Sequence, residues 1–120
     1  MVAWIDRQPR SLLYTTSISK AEILYGIATM PDGRRRTTLA EAADAMFSDD
    51  FAGRVLAFDV AAAVYYAEIV AARRRAGRPI GMPDAQIAAI ASTAGAAVAT
   101  RDVAGFEGCG VTVANPWETA

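Results

Sequence analysis

A helix that runs directly into a short strand, at residues 82–102, constrains the fold of this chain more than any other segment. Pro83 favours the first turn of a helix, because the N–H that proline lacks would have no partner there. Ile87 and Ile90 then recur at helical spacing and predict one apolar face. Gly95 is typical of the residue that ends a helix.

The strand that follows is the apolar run AAVAT at residues 96–100. This composition predicts a strand buried on both faces, as in parallel sheets. Asp84 lies in the first turn of the preceding helix, and Asp102 comes just after the strand. Ligands of open α/β sheets bind at the carboxyl ends of the strands, so the two carboxylates are candidates for one site.

The rest of the chain alternates between strands and helices, which is typical of an α/β fold with a parallel sheet. A helical tail ending at Pro9 opens the chain, and Ser19 is predicted to cap a helix with an apolar face. The other expected elements are strands at 12–18, 55–58 and 111–114, and helices at 34–51 and 60–76, with Asp59 capping the last helix.

Histidine is absent from the 120 residues, and this excludes several kinds of catalytic site. Ser-His-Asp triads, Cys-His dyads and histidine zinc sites all need an imidazole. Carboxylates that bind a hard cation are the simplest remaining option for an enzyme. The single cysteine, Cys109, agrees with a reducing compartment, and the absence of a signal-peptide pattern makes the cytoplasm the expected location.

Each candidate carboxylate also has a purely structural interpretation. Glu22 completes the capping-box pattern S-x-x-E that begins at Ser19. Asp84 is favoured by the helix dipole by about 0.3 to 1 kcal/mol, and Asp102 fits a turn. A parallel sheet, however, would gather all three on one edge.

Two arginine clusters are candidates for RNA phosphate contacts or, alternatively, for solvated helix ends. They comprise Arg34, Arg35 and Arg36, and Arg73, Arg74, Arg75 and Arg78. The net charge of −1 argues against nucleic-acid binding through bulk charge, so any such contact must be local.

Several motifs in order along the chain resemble the PIN-domain ribonucleases, and among them the VapC-type toxins of bacterial toxin–antitoxin pairs. They are SISKAEILYGI (17–27), VLAFD (55–59), YAEIVAARRRAGRPIGMPDAQIAAIA (66–91), ATRD (99–102), FEGCGV (106–111) and NPW (115–117). The resemblance implies a PIN-like α/β fold, with a parallel sheet flanked by helices.

The resemblance also implies an acidic cluster that binds Mg²⁺ or Mn²⁺ and hydrolyses RNA. Glu22 and Asp84 match the second and third acidic positions of the family, and Asp102 falls in its late acidic region. Gly105 stands where many members carry a further acid. The implied partners are an RNA substrate, a cognate antitoxin and a second copy of the chain, with no membrane.

One departure concerns the start of the chain. Family members begin with a short central strand that ends in Asp-Thr-Asn and supplies the first metal ligand, and this sequence has no such segment. The resemblance therefore implies a single PIN-like domain over 1–120 that is N-terminally incomplete, with little expected catalysis. The alternatives are a toxin whose start has been assigned too late and a non-catalytic remnant that binds an antitoxin or dimerises. A receiver-like domain is disfavoured, because the first strand lacks an acidic pair.

Overall fold

The computed structural model describes residues 7–100 and 102–115. The chain divides into an N-terminal unit, Pro9–Ala57, and a C-terminal unit that comprises Phe58–Ala120 and Met1–Gln8. The helical tail predicted before Pro9 lies almost wholly outside the described residues. Within residues 7–100 and 102–115, each unit contains one parallel pair of strands, so the predicted α/β class with parallel strands and flanking helices is confirmed.

The N-terminal unit places two helices between its two strands. After a 3₁₀ turn, its elements are β1 (Thr15–Thr16), α1 (Ser17–Ala28), α2 (Arg34–Ala45), a π-helical turn (Met46–Asp50) and β2 (Val55–Leu56). Thr15 lies opposite Val55 in the parallel ladder. A turn at residues 30–33 separates α1 from α2, and the predicted helix at 34–51 is confirmed apart from its π-helical end.

The start of α1 differs from the prediction. Thr16, and not Ser19, is the N-cap: its side-chain oxygen accepts a hydrogen bond of 3.0 Å from the backbone N–H of Ser19. The strand predicted at 12–18 is consequently only two residues long, because Ser17 already belongs to the helix. The proposed capping box of Ser19 and Glu22 is therefore wrong.

The buried residues of the N-terminal unit come from α2 and the turn after it. Ala43 and Phe47 are buried, and the Lys20 ammonium group of α1 lies 5.5 Å from the centre of the Phe47 ring. In contrast, α1 has no buried residue, and Ile23 and Leu24 are each 41% exposed. The apolar face predicted for α1 thus exists in the sequence but is not buried within the described chain.

The C-terminal unit contains α3 (Val60–Arg75), α4 (Met82–Ala94), β3 (Val98–Ala99), a 3₁₀ turn (Ala104–Phe106) and β4 (Val113–Ala114). Asp59 caps α3 as predicted, since its carboxylate accepts a hydrogen bond of 2.9 Å from the N–H of Ala62. Gly95 ends α4 in the left-handed conformation, with φ of 64°, which a residue with a Cβ adopts only at a cost.

The packing of α3 against α4 forms the core of this unit. The buried face of α4 consists mainly of small side chains, which lets the two helix backbones approach closely. The buried residues of α4 are Ala85, Ala88, Ala89, Ile90 and Ala91. In β3, Val98 is buried but Ala99 is exposed, so the prediction of a strand buried on both faces is wrong. No helix in the described residues is long and apolar enough to cross a membrane.

Candidate active site

Asp84 lies in the first turn of α4 and is half-buried. The helix begins after Gly81, which has no side chain to cap the first N–H groups, and Pro83 occupies the first turn. A carboxylate at this point faces the positive end of the helix dipole. The local sequence therefore places Asp84 at a helix N-terminus.

Asp102 lies in the loop that follows the carboxyl end of β3, as the sequence predicted. Its backbone N–H donates to the Thr100 hydroxyl oxygen at 3.1 Å, and its Oδ1 accepts from the backbone N–H of Gly105 at 3.0 Å. The 3₁₀ turn that begins two residues later buries Phe106 and contacts α4. Asp102 is thus an exposed carboxylate on a loop that is anchored at both of its ends.

Arg73 is buried, with only 6% of its surface exposed, although the sequence suggested a solvated helix end or a phosphate contact. Its Nε donates to the carbonyl oxygen of Arg78 at 2.6 Å. Its Nη1 donates to the carbonyl oxygens of Gly105 at 2.7 Å and Glu107 at 2.9 Å. Both interpretations are therefore wrong for Arg73, whereas the neighbouring Arg74 and Arg75 are exposed as expected.

Arg78 binds the same loop from the connection that precedes α4. Its Nη2 donates to the carbonyl oxygen of Ala104 at 3.2 Å and lies 3.3 Å from Oε2 of Glu107. Both of these contacts are exposed, so each contributes little to stability. The loop that carries Asp102 is nevertheless attached to α3 by Arg73 and to the connection before α4 by Arg78.

Glu22 lies in the second turn of α1, within the N-terminal unit, and is exposed. The capping box that would have explained Glu22 without a function is not formed. Among the described residues, no three His, Cys, Asp or Glu side chains lie close enough together to hold a metal ion. The convergence of Glu22 with Asp84 and Asp102 on one metal therefore stays a prediction, although carboxylate oxygens are the ligands that Mg²⁺ prefers.

The other arginine cluster lies at the start of α2. Arg34 and Arg35 are exposed, and Arg36 forms an ion pair with Asp32, which lies in the turn just before the helix. No acidic residue occupies the first turn of α2 to balance these charges. The geometry is that of a solvated, positively charged helix end, and contact with RNA phosphates stays a prediction.

An open cavity of about 740 Å³ lies in the C-terminal unit, away from both of its candidate carboxylates. It is lined by α3, by the end of α4 and by residues 108–112, and neither Asp84 nor Asp102 contributes to it. The cavity holds one carboxylate, Glu68, without a second acidic partner. Its lining therefore offers no pair of carboxylates that could hold a metal ion.

Comparison with known proteins places the chain in a family. A family model described as PIN domain matches residues 1–107, and the chain therefore belongs to the PIN-domain family. Within that family it belongs with proteins of toxin–antitoxin systems, as its relatives show. The sequence motifs predicted a resemblance to PIN-domain proteins and, among them, to toxins of toxin–antitoxin pairs, and both predictions are confirmed.

Three relatives illustrate the similarity. VapC ribonuclease Y4jK of Sinorhizobium fredii is 42% identical over 120 residues, which are 100% of this chain and 86% of that protein. Plasmid stability protein StbB of Pseudomonas syringae is 46% identical over 115 residues, covering 96% and 83%. Toxin FitB of Neisseria gonorrhoeae is 36% identical over 117 residues, covering 98% and 84%. A solved structure of FitAB bound to an IR36 DNA fragment matches with a TM-score of 0.91 and 36% identity, covering 97% of this chain and 81% of that one.

Proposed function

We propose that this chain is a metal-dependent endoribonuclease, the toxin of a type II toxin–antitoxin pair, with Glu22, Asp84 and Asp102 as its metal ligands. The observation that carries the proposal is the placement of Asp102 at the carboxyl end of β3, on a loop that contacts the helix opened by Asp84. The similarity to a VapC ribonuclease supports the same reaction.

The chemistry of the side chains agrees with RNA hydrolysis. A bound Mg²⁺ or Mn²⁺ would supply an activated water and would offset charge on the scissile phosphate, so that no histidine is needed. Asp84 and Asp102 would hold such an ion through carboxylate oxygens, and Gly105 would orient Asp102 through its N–H. Glu22, which is exposed and is not used in a cap, is available for the same role.

Cleavage of a structured RNA by the purified chain, with Mn²⁺ and after its removal by chelation, tests the proposal. Asp84→Asn and Asp102→Asn should each lower the rate by at least about tenfold, since one ligand of a two- or three-carboxylate site is lost. Asp44→Asn, an exposed carboxylate on α2, is the matched control and should leave the rate unchanged. Equal rates for all three variants would remove these residues from the site.

Calorimetric titration with Mn²⁺ provides a readout that does not depend on RNA. The two active-site variants should weaken binding, and Asp44→Asn should not.

A second candidate function is partner binding without catalysis. The FitAB structure shows that a protein 36% identical to this chain is found with a second protein on DNA. We infer that this chain likewise binds a cognate antitoxin, encoded by a neighbouring small reading frame, and forms a homodimer in the cytoplasm. Co-expression followed by size-exclusion chromatography tests this, and monomeric elution without a co-purified partner would contradict it.

A further inference from the structure

We propose that Arg73 is a positioning residue for the Asp102 carboxylate and that it acts through Gly105. The role in catalysis rests on the proposed ribonuclease function, whereas the positioning itself does not. The three residues form a continuous series of hydrogen bonds within the C-terminal unit. Arg73 Nη1 binds the carbonyl oxygen of Gly105 at 2.7 Å, and the N–H of Gly105 binds Oδ1 of Asp102 at 3.0 Å.

The burial of Arg73 is unusual for a residue that serves only to pack a helix. Removing a guanidinium from water is costly unless its donors are satisfied, and an apolar side chain of similar volume would pack without that cost. Among the described residues, the acceptors of Arg73 are three backbone carbonyls and, at 3.7 Å, the sulfur of Cys109. Its charge is therefore used to hold backbone segments in place.

The carbonyls that Arg73 binds belong to two separate segments of the chain. Arg78 lies in the connection that leads into α4 and Asp84, whereas Gly105 and Glu107 lie in the loop after Asp102. One side chain at the C-terminal end of α3 thus links the loop that follows Asp102 to the connection that leads into α4 and Asp84. The negative end of the helix dipole adds to the stability of a cation at this position.

The contacts of Arg73 with these carbonyls require a guanidinium group, and another positively charged side chain would not form all of them. The planar guanidinium directs Nε and Nη1 at different carbonyls at the same time, whereas a lysine ammonium is a compact donor group at the end of a flexible chain. Arg73→Lys would retain the charge and most of the stem but could not satisfy both segments. The matched control is Arg74→Lys, which makes the same change at an exposed position one residue further along α3.

Amide hydrogen exchange of Gly105, measured by NMR in the full chain, tests the positioning directly. Arg73→Lys should accelerate this exchange by at least about fivefold, the factor that corresponds to the net free energy of one hydrogen bond. Arg74→Lys should leave it unchanged. Unchanged exchange in a folded Arg73→Lys protein would overturn the proposal.

The wild-type protein provides a measurement that does not require a variant to fold. The Arg73 Nε–H should exchange at least about tenfold more slowly than that of Arg74, because it is buried and bonded. Equal exchange of the two signals would overturn the proposal even if Arg73→Lys could not be purified.

Kinetics separate this proposal from the proposed function. If the wild-type chain cleaves RNA, Arg73→Lys should lower kcat by about tenfold with KM unchanged, since a misplaced ligand affects the transition state and not RNA binding. A change in KM alone would assign Arg73 to substrate binding and overturn positioning. If the wild-type chain cleaves no RNA, the proposed function fails, and the exchange of Gly105 still decides whether Arg73 holds the loop.

Discussion

The side chain of Asp102 packs directly against the backbone of Gly105. The carboxylate of Asp102 accepts the Gly105 N–H at 3.0 Å, and a Cβ atom added at Gly105 would lie 2.7 Å from Cγ of Asp102. The carboxylate therefore occupies the volume in which any side chain at position 105 would begin. The orientation of Asp102 in this chain therefore depends on glycine at position 105.

Gly105→Ala should consequently displace the Asp102 carboxylate. The added methyl group cannot fit beside Cγ, and the short side chain of Asp102 can escape only by rotating away from its hydrogen bond. We expect RNA cleavage to fall by about tenfold, while the free energy of unfolding falls by no more than about 1 kcal/mol, the net contribution of one hydrogen bond. Cleavage assays and urea unfolding measure the two effects.

Gly26→Ala is the control for that substitution. It adds the same methyl group on α1, where the new atom would meet no heavy atom of another part of the described chain within 4 Å. It should stabilise the protein by about 0.5 to 1 kcal/mol through helix propensity. Cleavage should not change. If both alanine variants lose activity equally, the effect of Gly105→Ala does not arise from Asp102.

Thr16→Ala should destabilise the protein by about 0.5 to 2 kcal/mol, because the N–H of Ser19 loses its capping acceptor. Thr16→Ser retains the hydroxyl and should recover most of the loss. Thermal unfolding of the two variants measures the difference. Ser19→Ala tests whether Ser19 is the cap instead. A larger loss of stability in Ser19→Ala than in Thr16→Ala would identify Ser19 as the N-cap.

Arg54→Ala should destabilise the N-terminal unit by about 1 to 3 kcal/mol. The Nε of this half-buried arginine donates to the carbonyl oxygen of Leu13 at 2.9 Å, and its own carbonyl accepts from the N–H of Thr15 at 3.0 Å. The substitution leaves the Leu13 carbonyl without its donor. Hydrogen exchange of β1 amides should rise, and unchanged protection of Thr15 would contradict the assignment.

Glu107→Gln should have almost no effect on stability. The ion pair between Arg78 and Glu107 is exposed on both sides, and such pairs contribute at most about 1 kcal/mol. Gln retains a side-chain acceptor, so we expect a change within about 0.5 kcal/mol, measured by urea unfolding. A larger loss would show that the exposed pair, and not buried Arg73, holds the loop.

The boundaries of the C-terminal helices were predictable because their signals are local. Asp59 caps α3, and Pro83 and Gly95 mark the two ends of α4, each through its own backbone chemistry. The start of α1 was not predictable in this way. Thr16, Ser17 and Ser19 all carry hydroxyl groups that could cap a helix. The pairing of Thr15 and Thr16 with β2 is a contact across about 40 residues, which a local signal does not reveal.

At the candidate site, the role of Arg73 could be predicted from the sequence only in part. It lies four residues after Ile69 and thus on the buried face of α3, a spacing that could have distinguished it from Arg74 and Arg75. Its acceptors, however, include carbonyls more than 30 residues further along the chain. Sequence patterns do not show which loop returns to a helix end, so the link between Arg73 and Asp102 required the fold.

The order of the strands also bears on how the protein folds during its synthesis. Thr15 pairs with Val55 across about 40 residues, whereas Val98 pairs with Val113 across about 15, so closing the first pair costs about 0.9 kcal/mol more in chain entropy. At about 5 to 20 residues per second, β1 is synthesised roughly 2 to 8 seconds before β2. During that interval Thr15 and Thr16 of β1 have no partner strand. The N-terminal unit therefore completes its strand pair after a longer delay than the C-terminal unit does.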